Sequence, residues 1–279
     1  MHKTIGKAAL LAAAMLTLAT AQATFLNDPS NPVQLRAGTE IGFVKVLSHK
    51  IQLGENGTLF DYVHEGGQEN LYPFKRLSLD VGIHNRSTVT FVYQPLDLQT
   101  KALFLRDVTV DSLVFPAMTP VDLRYFFDFY RLSYLYDFFP APEKELAVGL
   151  SLQFRDASIS FVSQDGRLFR ITQNVGPVPI LKARFLMPFG RQSFIGAEVD
   201  GFYASDRIFN GANFKFEGSI LDASVRYGLK FNDWLTGFIN WRFLGGGAKG
   251  KGYNTPGPSD GYTDNALGTG ALTIGFYVQ

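Results

Sequence analysis

The stretch Leu221-Asp222-Ala223-Ser224-Val225-Arg226-Tyr227-Gly228-Leu229-Lys230-Phe231-Asn232-Asp233-Trp234-Leu235-Thr236-Gly237-Phe238-Ile239-Asn240-Trp241-Arg242-Phe243 decides the fold. Leu221, Ala223, Val225, Tyr227, Leu229 and Phe231 are apolar at every second position, and Asp222, Ser224, Arg226, Gly228 and Lys230 stand between them. A short turn over Asn232, Asp233 and Trp234 follows, after which Leu235, Gly237, Ile239, Trp241 and Phe243 resume the apolar face. A period of two sets one face of a strand against apolar material and the other against water. Recurring along an exported chain, it indicates a membrane β-barrel.

The neighbouring hairpins test that reading, because a one-residue slip would exchange the two faces. Around Gly190, Arg191 and Gln192, Phe189 faces Ser193, Met187 faces Ile195 and Phe185 faces Ala197 on one side. On the other, Arg184 faces Glu198 and Lys182 faces Asp200. Opposite charges placed directly across an antiparallel pair contribute roughly 0.2–1 kcal/mol each. Around Asn85, Arg86 and Ser87, Leu77, Leu79, Val81 and Ile83 meet Val89, Phe91 and Tyr93, while Arg76, Ser78, Asp80, Gly82 and His84 meet Thr88, Thr90 and Gln94. Three-residue loops of this kind are common hairpin closures.

The ends and the composition narrow the class. Residues 1–23 read as a secretory signal: Lys3 and Lys7 start it, Ala8 to Ala19 form an apolar stretch too short to span a bilayer, and Ala21-Gln22-Ala23 offers a cleavage site. The mature domain is expected over 24–279. The chain contains no cysteine, which excludes a lipoprotein anchor, a disulfide framework and a thiolate metal site. No later apolar run approaches the roughly 20 residues of a transmembrane helix. Without Lys3 and Lys7, 24 basic residues face 25 acidic ones, so nothing points to nucleic acid as a partner. The 26 Phe, 12 Tyr and 28 Gly suit a barrel whose outer face meets lipid, although a soluble periplasmic β-sandwich shares such a composition.

Tight turns at 85–87, 190–192, 232–234 and, somewhat longer, 140–144 alternate with irregular connections near 54–72, 107–120, 163–176, 205–213 and 245–265. Short turns at one end and long loops at the other match the periplasmic and extracellular sides of an outer-membrane barrel. The count gives an all-β transmembrane antiparallel barrel of ten strands. Segments 59–64 and 168–172 leave eight or twelve as alternatives. Trp234 and Phe243 sit nine residues apart on one strand, about 23 Å along the membrane normal at ~3.3 Å per residue and ~40° tilt, close to the ~25 Å between aromatic girdles.

The chain resembles uncharacterised Gram-negative outer-membrane β-barrel proteins from about Arg76 to Val278. The markers are Tyr93-Gln94-Pro95-Leu96, Phe115-Pro116-Ala117 with Thr119-Pro120-Val121-Asp122, Tyr130-Arg131-Leu132-Ser133-Tyr134, and Arg155-Asp156-Ala157-Ser158-Ile159-Ser160. The resemblance implies a barrel in the outer membrane and brings no established activity. Outer-membrane lipids, the barrel-assembly machinery and periplasmic chaperones are the partners it implies, with the chain acting as a monomer. One departure is the C-terminus, Phe276-Tyr277-Val278-Gln279, which does not end on an aromatic residue.

The expected site is the inward polar face: Arg76, Asp80, Arg131, Lys182, Arg184, Glu198, Asp200, Asp222, Arg226 and Arg242, with His84, Lys230 and Asn240 on the same faces. A barrel of about eight strands is just filled by its own side chains, so ten leave little free width. Salt-bridged filling is therefore expected ahead of a narrow water-filled passage. An enzyme acting on outer-membrane lipid is the rival, and an exported soluble adhesin or binding module a second. His84 and Ser87 share a turn, but they sit at the periplasmic end, away from the outer leaflet. Three mature histidines scattered without cysteine give no metal site, and no cofactor is expected. The run from Gly245 to Gly252 approaches a phosphate-binding loop, but Gly252 stands where Ser or Thr is required and no helix follows. It is expected to be a mobile outer loop, with Lys249 and Lys251 near lipopolysaccharide phosphates. The expected role is structural or a passive small-solute channel, without catalysis.

Overall fold

The computed structural model describes residues 32–139, 143–206, 216–252 and 259–279. The signal segment 1–23 lies outside the described residues, as do parts of the 140–144 turn and of the loops at 205–213 and 245–265. Ten strand positions close on themselves. They are β1 (Val33–Leu53), β3 (Leu71–Ile83), β4 (Ser87–Gln94) continued by β5 (Asp97–Leu103), β8 (Pro120–Asp137), β9 (Glu145–Ser163), β10 (Phe169–Phe189), β11 (Ser193–Ser205), β12 (Phe216–Lys230), β13 (Leu235–Lys251) and β14 (Tyr262–Val278). Every neighbouring pair is antiparallel, and β14 pairs with β1 to seal the sheet. β4 and β5 both pair with β8, Gln94 opposite Phe129 and Asp97 opposite Phe126, so they form one barrel strand broken at Pro95 and Leu96. Leu96 still exchanges backbone hydrogen bonds with Phe127, so the run against β8 is continuous, and what Pro95 lacks is an N–H for its other neighbour, β3.

The three hairpin registers read from the sequence are those observed. Lys182 pairs with Asp200 and Arg184 with Glu198, Leu77 with Tyr93, and Arg226 with Asn240. The short β2 (Phe60–Asp61) lies on β1 as a flap, and residues 169–172 belong to β10, so neither alternative segment adds a barrel strand. β6 (Val108–Val110) and β7 (Leu113–Phe115) form a separate two-stranded ribbon.

Followed from Leu235, the register climbs through Val278, Ala37, Leu79, Phe91, Leu132, Leu152 and Pro179 and, with the β10–β11 pairing continued by two residues, through Tyr203 and Ser219 to Gly247. It returns to β13 twelve residues higher, a shear of 12 (247 − 235). With about 3.3 Å per residue and about 4.8 Å between strands, that shear tilts the strands by about 40° and sets the backbone about 10 Å from the barrel axis. Each residue then gains about 2.5 Å of height, so ten residues cross the ~25 Å apolar band. β9 has 19 residues and β10 has 21, so the barrel stands well clear of such a band at the end that carries the longer connections.

The connections expected at 163–176 and 245–265 are largely strand, and the glycine-rich run is the upper part of β13, not a free loop. A Cβ on Gly246 would meet the Ser219 carbonyl oxygen at 2.3 Å, so glycine is what lets β12 and β13 come together there. These extensions escaped the alternation because polarity inverts above the membrane. On the lower half of β8, Tyr130, Leu132 and Tyr134 face outward and Arg131 and Ser133 are buried. Higher on the same strand Val121, Leu123 and Tyr125 are buried, while Asp122 and Arg124 face outward. Where the outer surface meets water and loops enter the lumen, the inside becomes the apolar side.

The interior has three levels. At the periplasmic end Phe194, Phe238 and Tyr277 fill the bore, with Arg226 stacked over Phe238. A charged layer crosses the membrane-embedded middle. Above it Val44, Phe74, Leu96, Phe104, Phe115 and Phe161, together with Phe60 and Tyr62 from the first long loop, form an apolar core.

Candidate functional site

Alternation on nine strands sends one charged or amide side chain after another into the same layer. Arg76 comes from β3 and Arg131 from β8. Lys182 comes from β10, Glu198 and Asp200 from β11, Asp222 and Arg226 from β12, and Arg242 from β13. All of them are buried. Arg131 is 0% exposed and reaches Asp222 and Asp200, each at 3.0 Å, while its other nitrogens donate to Gln153. Lys182 bridges Asp200 at 2.9 Å and Glu198 at 3.2 Å. Arg76 donates to Glu198 at 2.8 Å and to Gln94 at 3.0 Å. Arg242 pairs with Asp222, with Glu40 and Glu198 further off at 3.6 and 3.8 Å. Lower down, Asp80 is shared by Arg36 and Arg184, and Arg184 also holds Glu145.

All ten lumen candidates thus lie inside the barrel, eight of them joined in one network and Asp80 and Arg184 in a second with Arg36 and Glu145. Asn240 is inside too, donating to Glu40 at 2.8 Å. His84 and Lys230 are not: both are exposed at the periplasmic ends of their strands, His84 in the turn itself with φ of 51°. His84 has left the sheet, and Lys230, paired with Thr236 on the last rung of β12, stands at the mouth of the bore where its side chain stays in solvent. Sequence reasoning missed Glu40, Arg36, Gln153 and Glu145, and set Gln94 on the polar face without counting it in the site. Glu40 shares its face with Val44 and Val46, which are core residues higher on β1, so its parity carried no polar signature.

Among the described residues six carboxylates (Glu40, Asp80, Glu145, Glu198, Asp200, Asp222) meet seven cations (Arg36, Arg76, Arg131, Lys182, Arg184, Arg226, Arg242). Near-balance is what allows so many charges to leave water, since an unpaired one would cost several kcal/mol. A cavity of about 10 Å³, room for about one water, lies at the top of the layer between Gln94, Arg242 and Phe74. The middle of this lumen is a packed polar plug.

A second buried polar cluster stands above the band. His49 is 0% exposed, stacked on Tyr62 with ring centroids 4.4 Å apart, and its Nδ1 lies 2.7 Å from Gln68 Oε1. Burial among apolar groups holds its imidazole neutral, down to about 4. Near the rim Lys249 pairs with Asp264 at 2.7 Å and Lys251 with Glu55 at 3.0 Å. Among the described residues no group of three or more His, Cys, Asp or Glu could hold a metal ion.

Solved outer-membrane proteins superpose on the chain to differing degrees. The outer membrane protease OmpT from Escherichia coli superposes with a TM-score of 0.50 over 88% of this chain and 96% of that one, at 9% identity. The Pseudomonas putida toluene transporter TodX gives 0.36 over 92% of each chain, also at 9% identity. The outer membrane protein OprG from Pseudomonas aeruginosa gives 0.26 over 88% of this chain and 96% of that one, at 10%. No family model and no curated relative matches the sequence. At these identities the likeness is one of fold. The class so defined is a closed ten-stranded antiparallel β-barrel of the outer-membrane type.

Proposed function

We propose that the protein is a resident of the outer membrane whose barrel does not conduct, and whose role is structural. The observation behind this is the plug: paired charges from opposite walls are buried across the middle of the bore, and the cavity at their upper edge has room for about one water. The lipid-facing surface fits the same reading, since Ile41, Phe43, Leu132, Leu150, Ile239 and Trp241 are exposed at barrel height. A passive passage for small solutes would need Arg131 and Arg242 to leave partners to which they are tied on several sides. The lumen is also capped above by the apolar core and below by Phe194, Phe238 and Tyr277.

The proposal includes no catalysis. OmpT is a protease by name, but here the buried charges are committed to one another, and His49 is enclosed by aromatic rings. Planar-bilayer recordings of the purified protein test the reading: conductance is expected to stay at background, and reproducible unit steps would defeat it. Lipid A mass spectra and peptide digests in the same preparation should be unchanged. Recovery with outer-membrane fractions and heat-dependent gel mobility check the location.

A further inference from the structure

The wall of the barrel is incomplete at one place. β3 and β4 pair only from Leu77↔Tyr93 down to Ile83↔Ser87. Above Leu77, residues 71–76 keep their ladder with β1 but have none with β5, whose pairing is with β8. Two prolines explain this, Pro73 on one lip and Pro95 on the other, because neither offers an N–H across the gap. From the shear, the unpaired stretch lies about 20–30 Å above the periplasmic end, at the outer-leaflet interface.

The two sides of this seam differ in chemistry. Its inner lips, Tyr72, Phe74, Leu96 and Leu98, are buried and apolar, and the small cavity above the charged layer opens behind Phe74, Pro95 and Leu96. On the outer side Lys75 is exposed and points away from the lumen, opposite Ile41, with no ion pair among the described residues. The neighbouring outward charges are engaged, Asp97 with Arg124 at 2.8 Å and Lys45 with the Glu69 carbonyl at 2.9 Å. Lys75 stands near the foot of this stretch, from where its long side chain can rise to the headgroups, and a lone cation there beside an apolar slit asks for an anionic headgroup with a hydrocarbon chain.

We propose that the β3–β5 seam is a lateral binding site for one acyl chain of an anionic outer-leaflet lipid, whose headgroup is held by Lys75. Parting the lips breaks no backbone hydrogen bond between them, and the chain would lie against Phe74 and Leu96 with the charged layer as its floor. This rests on the outer-membrane reading given above.

The test uses the protein in vesicles of phosphatidylglycerol or phosphatidylcholine brominated on the acyl chains, since bromine quenches indole on contact. The native Trp234 and Trp241 face lipid, and their quenching reports insertion. If they are not quenched, the membrane reading fails, and the site with it. Phe74→Trp, in a Trp234→Phe/Trp241→Phe background, should lose most of its emission in brominated phosphatidylglycerol. Leu96→Trp repeats the test from the other lip, and Phe194→Trp, inside the bore at the end opposite the seam, should stay bright. Lys75→Ala should restore emission, and brominated phosphatidylcholine should quench far less. Insertion with both lip variants bright would overturn the site. Equal quenching by the two lipids, or indifference to Lys75→Ala, would overturn the headgroup assignment.

Discussion

Arg131 and Arg124 lie on the same strand, seven residues apart, and only their surroundings differ. Arg131 is fully buried between Asp200 and Asp222, whereas Arg124 pairs with Asp97 on the outer surface with about half its side chain exposed. Truncating Arg131 takes one cation from each of two buried carboxylates, leaving Asp200 to Lys182 and Asp222 to Arg242 and Arg76, and breaking buried pairs in this way costs about 3–5 kcal/mol. An exposed pair contributes about 0–1 kcal/mol. Arg131→Ala is therefore expected to lower the urea midpoint of the refolded barrel strongly and Arg124→Ala hardly at all, and similar midpoints for the two would contradict the plug. His49 carries a pH dependence of definite sign. Its folded value, about 4, lies below the ordinary 6.5, so between these the unfolded chain takes up a proton that the folded chain refuses. Stability is then complete above pH ~6.5 and falls with acidification, by about 1.4 kcal/mol per pH unit and about 3 kcal/mol in all. Unfolding curves at stepped pH should show this slope from about 6.5 to 5, and His49→Gln should flatten it.

At the level of the strand, alternation is constant while its polarity is not. β8 keeps odd-numbered residues inward throughout, yet passes from Arg131 and Ser133 to Tyr125, Leu123 and Val121 on that face. A strand rising out of the membrane exchanges lipid for water outside, and loops for charged groups inside. Cross-strand pairs show a second device. Phe194 lies over Gly228, and Phe238 over Gly275, which puts an aromatic ring on a glycine at the periplasmic closure. A Cβ on Gly228 would come within 2.2 Å of the Phe194 ring. Gly228→Ala should therefore displace the ring and lower the unfolding midpoint by an amount typical of overpacking, about 1–3 kcal/mol. On the same strand Gly218 has its nearest neighbour at 3.7 Å, and Gly218→Ala should leave the midpoint in place.

Taken as a whole molecule, a shear of 12 on ten strands gives a bore that side chains can fill only by reaching across it. Arginine has that reach, and four of the seven lumen cations bridge carboxylates on more than one strand: Arg76, Arg131, Arg184 and Arg242. The silent bilayer recordings expected above follow from this closure of the middle, reinforced by aromatic rings below and the loop-built core above. That core is the unusual part of the architecture, because it places the main apolar cluster outside the membrane, within the protruding half of the barrel.

The sequence by itself determined the strand faces, the hairpin registers and the ten-strand count, together with the identity of most lumen charges. Period-two alternation and tight turns are local, and a turn fixes its register within a few residues. Tertiary structure decided what those charges do. Whether Arg131 meets Asp222, 91 residues away, depends on closure and shear, which no local pattern encodes. It also decided that Glu40 joins the layer from a strand otherwise lined with core residues, that His84 and Lys230 fall outside it, and that the loop strands fill the upper bore. The gap between Pro73 and Pro95 appears only where β3 parts from the β4–β5 strand, which stays paired with β8 throughout. Contacts made around a barrel's circumference and across its lumen are settled by closure, and closure belongs to the whole chain.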